Sequence, residues 1–161
     1  MVSEALHRLS ESDTELRAKA LLRSAIIEEE SKRFGDALKI HTEAGPLFER
    51  LENHCLIGSY HNAYAIVLRN LGSSEPRQDY IDLALIEYAA AAYHFEEAGH
   101  IRYQACVENN LAFLFWKLGR FVDAHKHLDR AQILLPDSRT ICTVPKLMRR
   151  ARECCWRRVE L

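Results

Sequence analysis

The string Arg33-Phe34-Gly35-Asp36-Ala37 returns 87 residues later as Arg120-Phe121-Val122-Asp123-Ala124. At the same offset Ala25 matches Ala112 and Ala44 matches Ala131. A third copy lies between them, around Ile81-Asp82-Leu83-Ala84 with Tyr88 and Ala91. Ala37, Ala84 and Ala124 therefore follow one another at intervals of 47 and 40 residues. Self-similarity on this scale constrains a fold more than composition does. Each copy is one supersecondary unit that cannot bury its apolar face alone and must stack on a neighbour.

The copies read as helical. Apolar periodicity marks helices over about residues 13–32, 34–51, 54–71, 77–98, 101–118 and 121–135, with a tail helix near 144–159. Only six Gly and four Pro interrupt the chain, and the Ala- and Leu-rich stretches between them lose little rotamer freedom in a helix. The alternating β-branched runs of strands are missing. Gly72, Gly99 and Gly119 each close an apolar-periodic stretch, as helix stops do, and Ser73-Ser74-Glu75-Pro76 reads as a loop. Ala112, Ala124 and Ala131 let two antiparallel helices approach closely, while Leu111, Phe115, Phe121 and Leu128 fill the space beside them. The expected fold is all-α: an α-solenoid of about three antiparallel helical hairpins plus a C-terminal capping helix. The repeat domain is expected over residues 1–136, with copies at about 18–52, 54–98 and 101–136, and a basic tail over 137–161.

Asn109-Asn110-Leu111-Ala112, Phe115, Leu118-Gly119-Arg120-Phe121, Asp123-Ala124, Leu128, Ala131 and Pro136 resemble a tetratricopeptide repeat nearly position for position. Glu108 stands where that family usually has a large aromatic. The middle copy offers Ala65, Leu68, Gly72, Ala84, Tyr88 and Ala91. The first keeps Ala25, Phe34, Ala37 and Ala44, but has Glu28 at an aromatic position and Pro46 inside its second helix. The likeness covers residues 21–136. Its spacings exceed the usual ~34 residues and are similar to the long-helix style of kinesin light chain and of bacterial regulators with tetratricopeptide sensor domains.

That resemblance implies a non-catalytic protein- or peptide-binding module, an adaptor or the sensor part of a bacterial regulatory system. In the family, first helices line a concave groove. Carried over, the groove stripe is Asn62, Ile66 and Arg69 in the second copy, and Asn109, Phe113 and Trp116 in the third, with Asn110 and Lys117 beside them. The first copy contributes Leu22, Ile26 and Glu29, with Arg23 adjacent. The spacing i, i+4, i+7 sets each trio on one helical face. Asn amides both donate to and accept from a peptide backbone, Arg69 and Lys117 suit a carboxylate, and Phe113 and Trp116 suit apolar anchoring. The same aromatics also suit packing against a neighbouring helix.

No catalytic, metal or cofactor site is expected. Solitary His41, His54, His61 and His94 read as hydrogen-bonded or solvated. His125 and His127, two apart on a helix, point to different faces. A carboxylate-bridged di-metal bundle needs two Glu-x-x-His strings in long facing helices. Of the two strings present, Glu97–His100 is interrupted by Gly99 and Glu4–His7 lies near the N-terminus. A helical metal-dependent enzyme is the alternative this leaves open. Neither a phosphate-cradling glycine loop nor a Gly-x-Ser-x-Gly elbow occurs.

Five cysteines without framework spacing suit reduced thiols, and a polar stretch with four acids over residues 1–15 is no signal-peptide core. With no apolar run near the ~18 residues of a membrane helix, a cytoplasmic, soluble protein is expected. Neither nucleic acid nor membrane is an expected partner; self-association stays open. From Asp137 onward seven Lys/Arg face three acids, a local charge of +4 that leaves −5 for residues 1–136. In that tail Thr143 suits a helix cap before an apolar stripe of Val144, Leu147, Met148, Ala151 and Cys155. Its arginines suit either solvation of the stack's open end or recruitment of an acidic partner, RNA or anionic lipid. The abrupt change of composition also fits a reading-frame slip, leaving a truncated or self-assembling fragment of a longer repeat protein.

Overall fold

In a computed structural model of the chain, the backbone is described for residues 2–74 and 77–135, and side chains for 13–73 and 77–135. The expected tail helix, Pro136 and the possible frame slip lie outside the described residues. The described residues form six helices: α1 Val2–Glu30, α2 Phe34–Phe48, α3 His54–Ser74, α4 Gln78–Glu97, α5 Ile101–Lys117 and α6 Phe121–Leu134. No strand occurs among the described residues. The chain divides into two compact units, Met1–Gly99 with α1 to α4 and His100–Leu161 with α5 and α6.

The repeated Arg-Phe-x-Asp-Ala string is the joint between two helices. At the end of α1 the Lys32 amide donates to the Glu29 carbonyl and the Arg33 amide to the Glu28 carbonyl. At the end of α5 the Gly119 amide donates to Trp116 and the Arg120 amide to Phe115, in the same pattern. Both are Schellman closures, which satisfy the last carbonyls of a helix and need one residue in the left-handed region. Gly119 fills that position with φ 73° and Lys32 with φ 61°. Asp36 and Asp123 then lie in the first turn of the next helix, where a carboxylate complements the helix dipole.

Each alanine of the repeat is a close-contact point: Ala25, Ala37, Ala44, Ala84, Ala91, Ala112, Ala124 and Ala131 are all buried. In the first unit α1 packs on α2, α2 on α3 and α3 on α4, while α1 also touches α3. Glu15 accepts from Asn53 (3.1 Å) and Glu29 from Asn70 (3.2 Å), so α1 and α3 run in the same direction. A core of Ala18, Leu22, Ala44, Phe48, Leu56 and Tyr60 joins the first three helices. Each large apolar side chain there contributes ~2 kcal/mol by leaving water. In the second unit α5 packs on α6 around Leu111, Ala112, Leu114, Phe115, Ala124 and Ala131.

Two expectations need correction. The first helix begins at Val2, well before residue 13, because the polar N-terminal stretch extends the helix. Gly72 does not end a helix: α3 runs through it to Ser74. A Cβ there would lie 2.8 Å from Ile81 Cδ1, so this glycine serves the close approach of α4. Gly99 and Gly119 do close their helices. No helix of the described residues is long and apolar enough to cross a membrane.

Candidate binding pocket

Two residue pairs with the same spacing build a polar cleft in the first unit. His54 and His61 are seven residues apart on α3, and Glu87 and His94 are seven apart on α4. Seven residues is close to two helical turns, so each pair lines one face. The antiparallel pairing of α3 and α4 sets His54 opposite His94 and His61 opposite Glu87. His54 Nδ1 lies 2.9 Å from His94 Nδ1, and His61 Nδ1 lies 2.6 Å from Glu87 Oε2. The His61 and His94 rings stack at 5.5 Å.

These side chains open into a cavity of about 430 Å³ lined also by Gly45, Phe48, Glu49, Leu51, Ile57 and Tyr60. Its wall thus comes from the C-terminal end of α2, the first half of α3 and the second half of α4. Neither Lys nor Arg is among the lining residues. Phe48 and Tyr60 stack at 4.2 Å, and the Tyr60 hydroxyl donates to the His41 carbonyl at 2.9 Å. Burial drives the Tyr60 phenol far above its usual range, so it remains a donor. Burial, followed by the neighbouring His61 and His54 rings, pulls the His94 imidazole below its usual range, with Glu97 opposing. A neutral His54–His94 pair shares a single proton, one ring donating and the other accepting. Behind Tyr60, His41 is 1% exposed, stacked on Tyr64 at 5.0 Å, and held neutral by burial with a pKa pulled down to about 4.

The expected groove residues lie elsewhere. Asn62 is roughly 100° around α3 from His61, and Asn62 and Ile66 are half-buried. Arg69 is 8% exposed and donates through Nη1 to the Tyr88 hydroxyl at 3.1 Å. It also holds down the Glu29 carboxyl, which burial pushes up. Its charge therefore serves the packing of α1, α3 and α4. In the second unit Asn109 is buried and Asn110 half-buried. Phe113 and Trp116 stack at 6.3 Å, and the Lys117 ammonium sits 5.3 Å from the Phe113 ring centre, so these three form one surface cluster.

Glu108, the departure from the tetratricopeptide pattern, has a partner: His127 Nδ1 lies 2.7 Å from its Oε2 and the His127 ring stacks on Phe115. The repeat offsets of 47 and 40 carry His61 onto Glu108 and Glu87 onto His127. The same rung thus occurs in both hairpins with acid and base exchanged. His54, His61 and His94 are hydrogen-bonded as expected, but the pairing of histidine with histidine and with glutamate across each hairpin was not foreseen. The available signal was the matched seven-residue spacing of 54/61 and 87/94. Among the described residues, no group of three or more His, Cys, Asp or Glu is placed to hold a metal. No protein-family model matches the chain, and no curated protein or solved structure matches it either.

Proposed function

We propose that this chain is a non-catalytic protein- or peptide-binding module built as a tetratricopeptide-like solenoid, working in the cytoplasm as an adaptor or as the sensor part of a regulatory system. The observation that supports this reading most is the parallel run of α1 and α3, with Glu15 on Asn53 and Glu29 on Asn70. Tetratricopeptide stacks align their first helices in this way, and the aligned helices make a wall for a guest chain. Asn62 and Ile66 on α3 offer a polar and an apolar contact within the first unit. Phe113, Trp116 and Lys117, beside Asn110, offer an aromatic and cationic cluster within the second. Arg69 and Asn109, being buried, are poor probes of binding, because removing either disturbs the packing around it.

The test is a random peptide library displayed on phage and selected on the full chain, with anisotropy titration of the enriched peptides. Asn62→Ala with Ile66→Ala, or Phe113→Ala with Trp116→Ala, should weaken a selected peptide by about tenfold or more while helix content is kept. A library that yields no enriched peptide, or binding undiminished in both variants, overturns the proposal.

A further inference from the structure

The pocket between α2, α3 and α4 was no part of the expected groove, and its chemistry is specific enough to name a guest. We infer that it receives a cationic side chain, the guanidinium or ammonium of an Arg or Lys on a bound peptide, and that acid releases it. This deepens the peptide-binding reading and rests on it.

The lining supplies what an organic cation needs and omits what would repel it. Glu87 and Glu49 are the charged residues of the wall. A carboxylate accepts at both oxygens, so Glu87 can keep its bond to His61 and still take a guanidinium N–H. The stacked Phe48 and Tyr60 rings give the alkyl stem of such a side chain an apolar floor in the cavity. Its volume falls within the ~300–1,000 Å³ typical of ligand sites. The unit around it is acidic: residues 1–99 carry ten Lys/Arg against seventeen Asp/Glu, a field that attracts basic partners. Without three ligands placed for a metal, the guest is an organic cation.

The titratable groups around the site set the sign of its pH dependence. From α2 come His41, behind Tyr60, and Glu49, just past the last turn; from α3, His54, Tyr60 and His61; from α4, Glu87, His94 and the nearby Glu97. None of the wall residues comes from α1. Burial disfavours the charged form of His94, and at the 2.9 Å contact with His54 one Nδ1 donates while the other accepts. Protonation of both rings turns two N–H donors toward each other at 2.9 Å and adds positive charge to the wall. A cationic guest is then expelled, whereas an anionic guest would be held more tightly.

The experiment is an NMR titration of the ¹⁵N-labelled full chain with the blocked peptide Gly-Gly-Arg-Gly-Gly and its Lys, Gln and Glu counterparts, at neutral and mildly acidic pH. The Arg and Lys peptides should shift the amides of His61, Glu87 and His94, and bind about tenfold more tightly than the Gln peptide. Their affinity should fall on acidification. Glu87→Gln, which keeps an acceptor for His61, and Glu49→Gln, an exposed change safe for folding, should each weaken the Arg peptide severalfold without loss of helix. Preference for the Glu peptide, tighter binding in acid, equal binding of Arg and Gln, or no shift at the pocket each overturns the inference. Phage-selected peptides that respond to the Asn62/Ile66 or Phe113/Trp116 variants but not to Glu87→Gln would sink this pocket and leave the peptide-binding reading standing. A library with no enriched peptide would sink that reading itself.

Discussion

The α3/α4 and α5/α6 hairpins have the same framework and different interiors. The His61–Glu87 rung of the first is the Glu108–His127 rung of the second, reversed. Two turns along, His54 and His94 correspond through the repeat offsets to Ile101 and Leu134. Gly58 corresponds to Ala105, and Phe95 to Leu135. One hairpin has a polar cleft where the other has apolar side chains. The common alanines fix how closely the two helices pack, and the positions between them are left to vary. Function is therefore to be sought in the variable positions.

The largest test extends the comparison to the first hairpin, where His41 occupies the position of Tyr88 and Leu128. Its pKa of about 4 in the fold compares with ~6.5 for an unfolded imidazole. The unfolded chain binds more protons between those values, so stability is full above that window and falls as pH drops through it, by about 3 kcal/mol at its foot. Urea unfolding at several pH values should show this slope, and His41→Leu should remove most of it. An unchanged slope in the variant would mean that acid acts through other groups.

Next in size is Gly58→Ala, which gives the α3/α4 hairpin the residue its counterpart already has. The new methyl would lie 2.9 Å from two carbons of the buried Phe95 ring, which would have to shift. A loss of about 1–3 kcal/mol is expected, and pairing the change with Phe95→Leu should restore much of it. If Gly58→Ala alone is neutral, the close approach of α3 and α4 is looser than described.

The smallest effect concerns the rung. His127→Gln should cost about 1 kcal/mol by leaving the half-buried Glu108 with a weaker partner. The exchange Glu108→His with His127→Glu, which copies the α3/α4 polarity, should recover most of it in a double-mutant cycle. Additive losses would show that the two rungs are not interchangeable.

What the sequence made legible follows from the range of each signal. The alanines recur copy by copy, and the Arg-Phe-x-Asp-Ala joints and the closures at Gly99 and Gly119 are local, so the six described helices and the packing of adjacent pairs could be read directly. Gly72 was misread because its reason lies across the hairpin in Ile81. His54 and His94, forty residues apart in the chain, meet only through the register in which α3 and α4 pack. Arg69 could be placed on a helical face, but its burial against Tyr88 required three helices in position.

The Schellman joints also differ in how firmly they hold. Lys32 adopts a backbone shape that glycine takes freely and that costs an L-residue roughly 1–2 kcal/mol. Letting the end of α1 unwind relieves that strain, while the glycine-closed end of α5 gains nothing similar by opening. Fraying of the first hairpin should therefore start at its turn, beside the helix that carries His41.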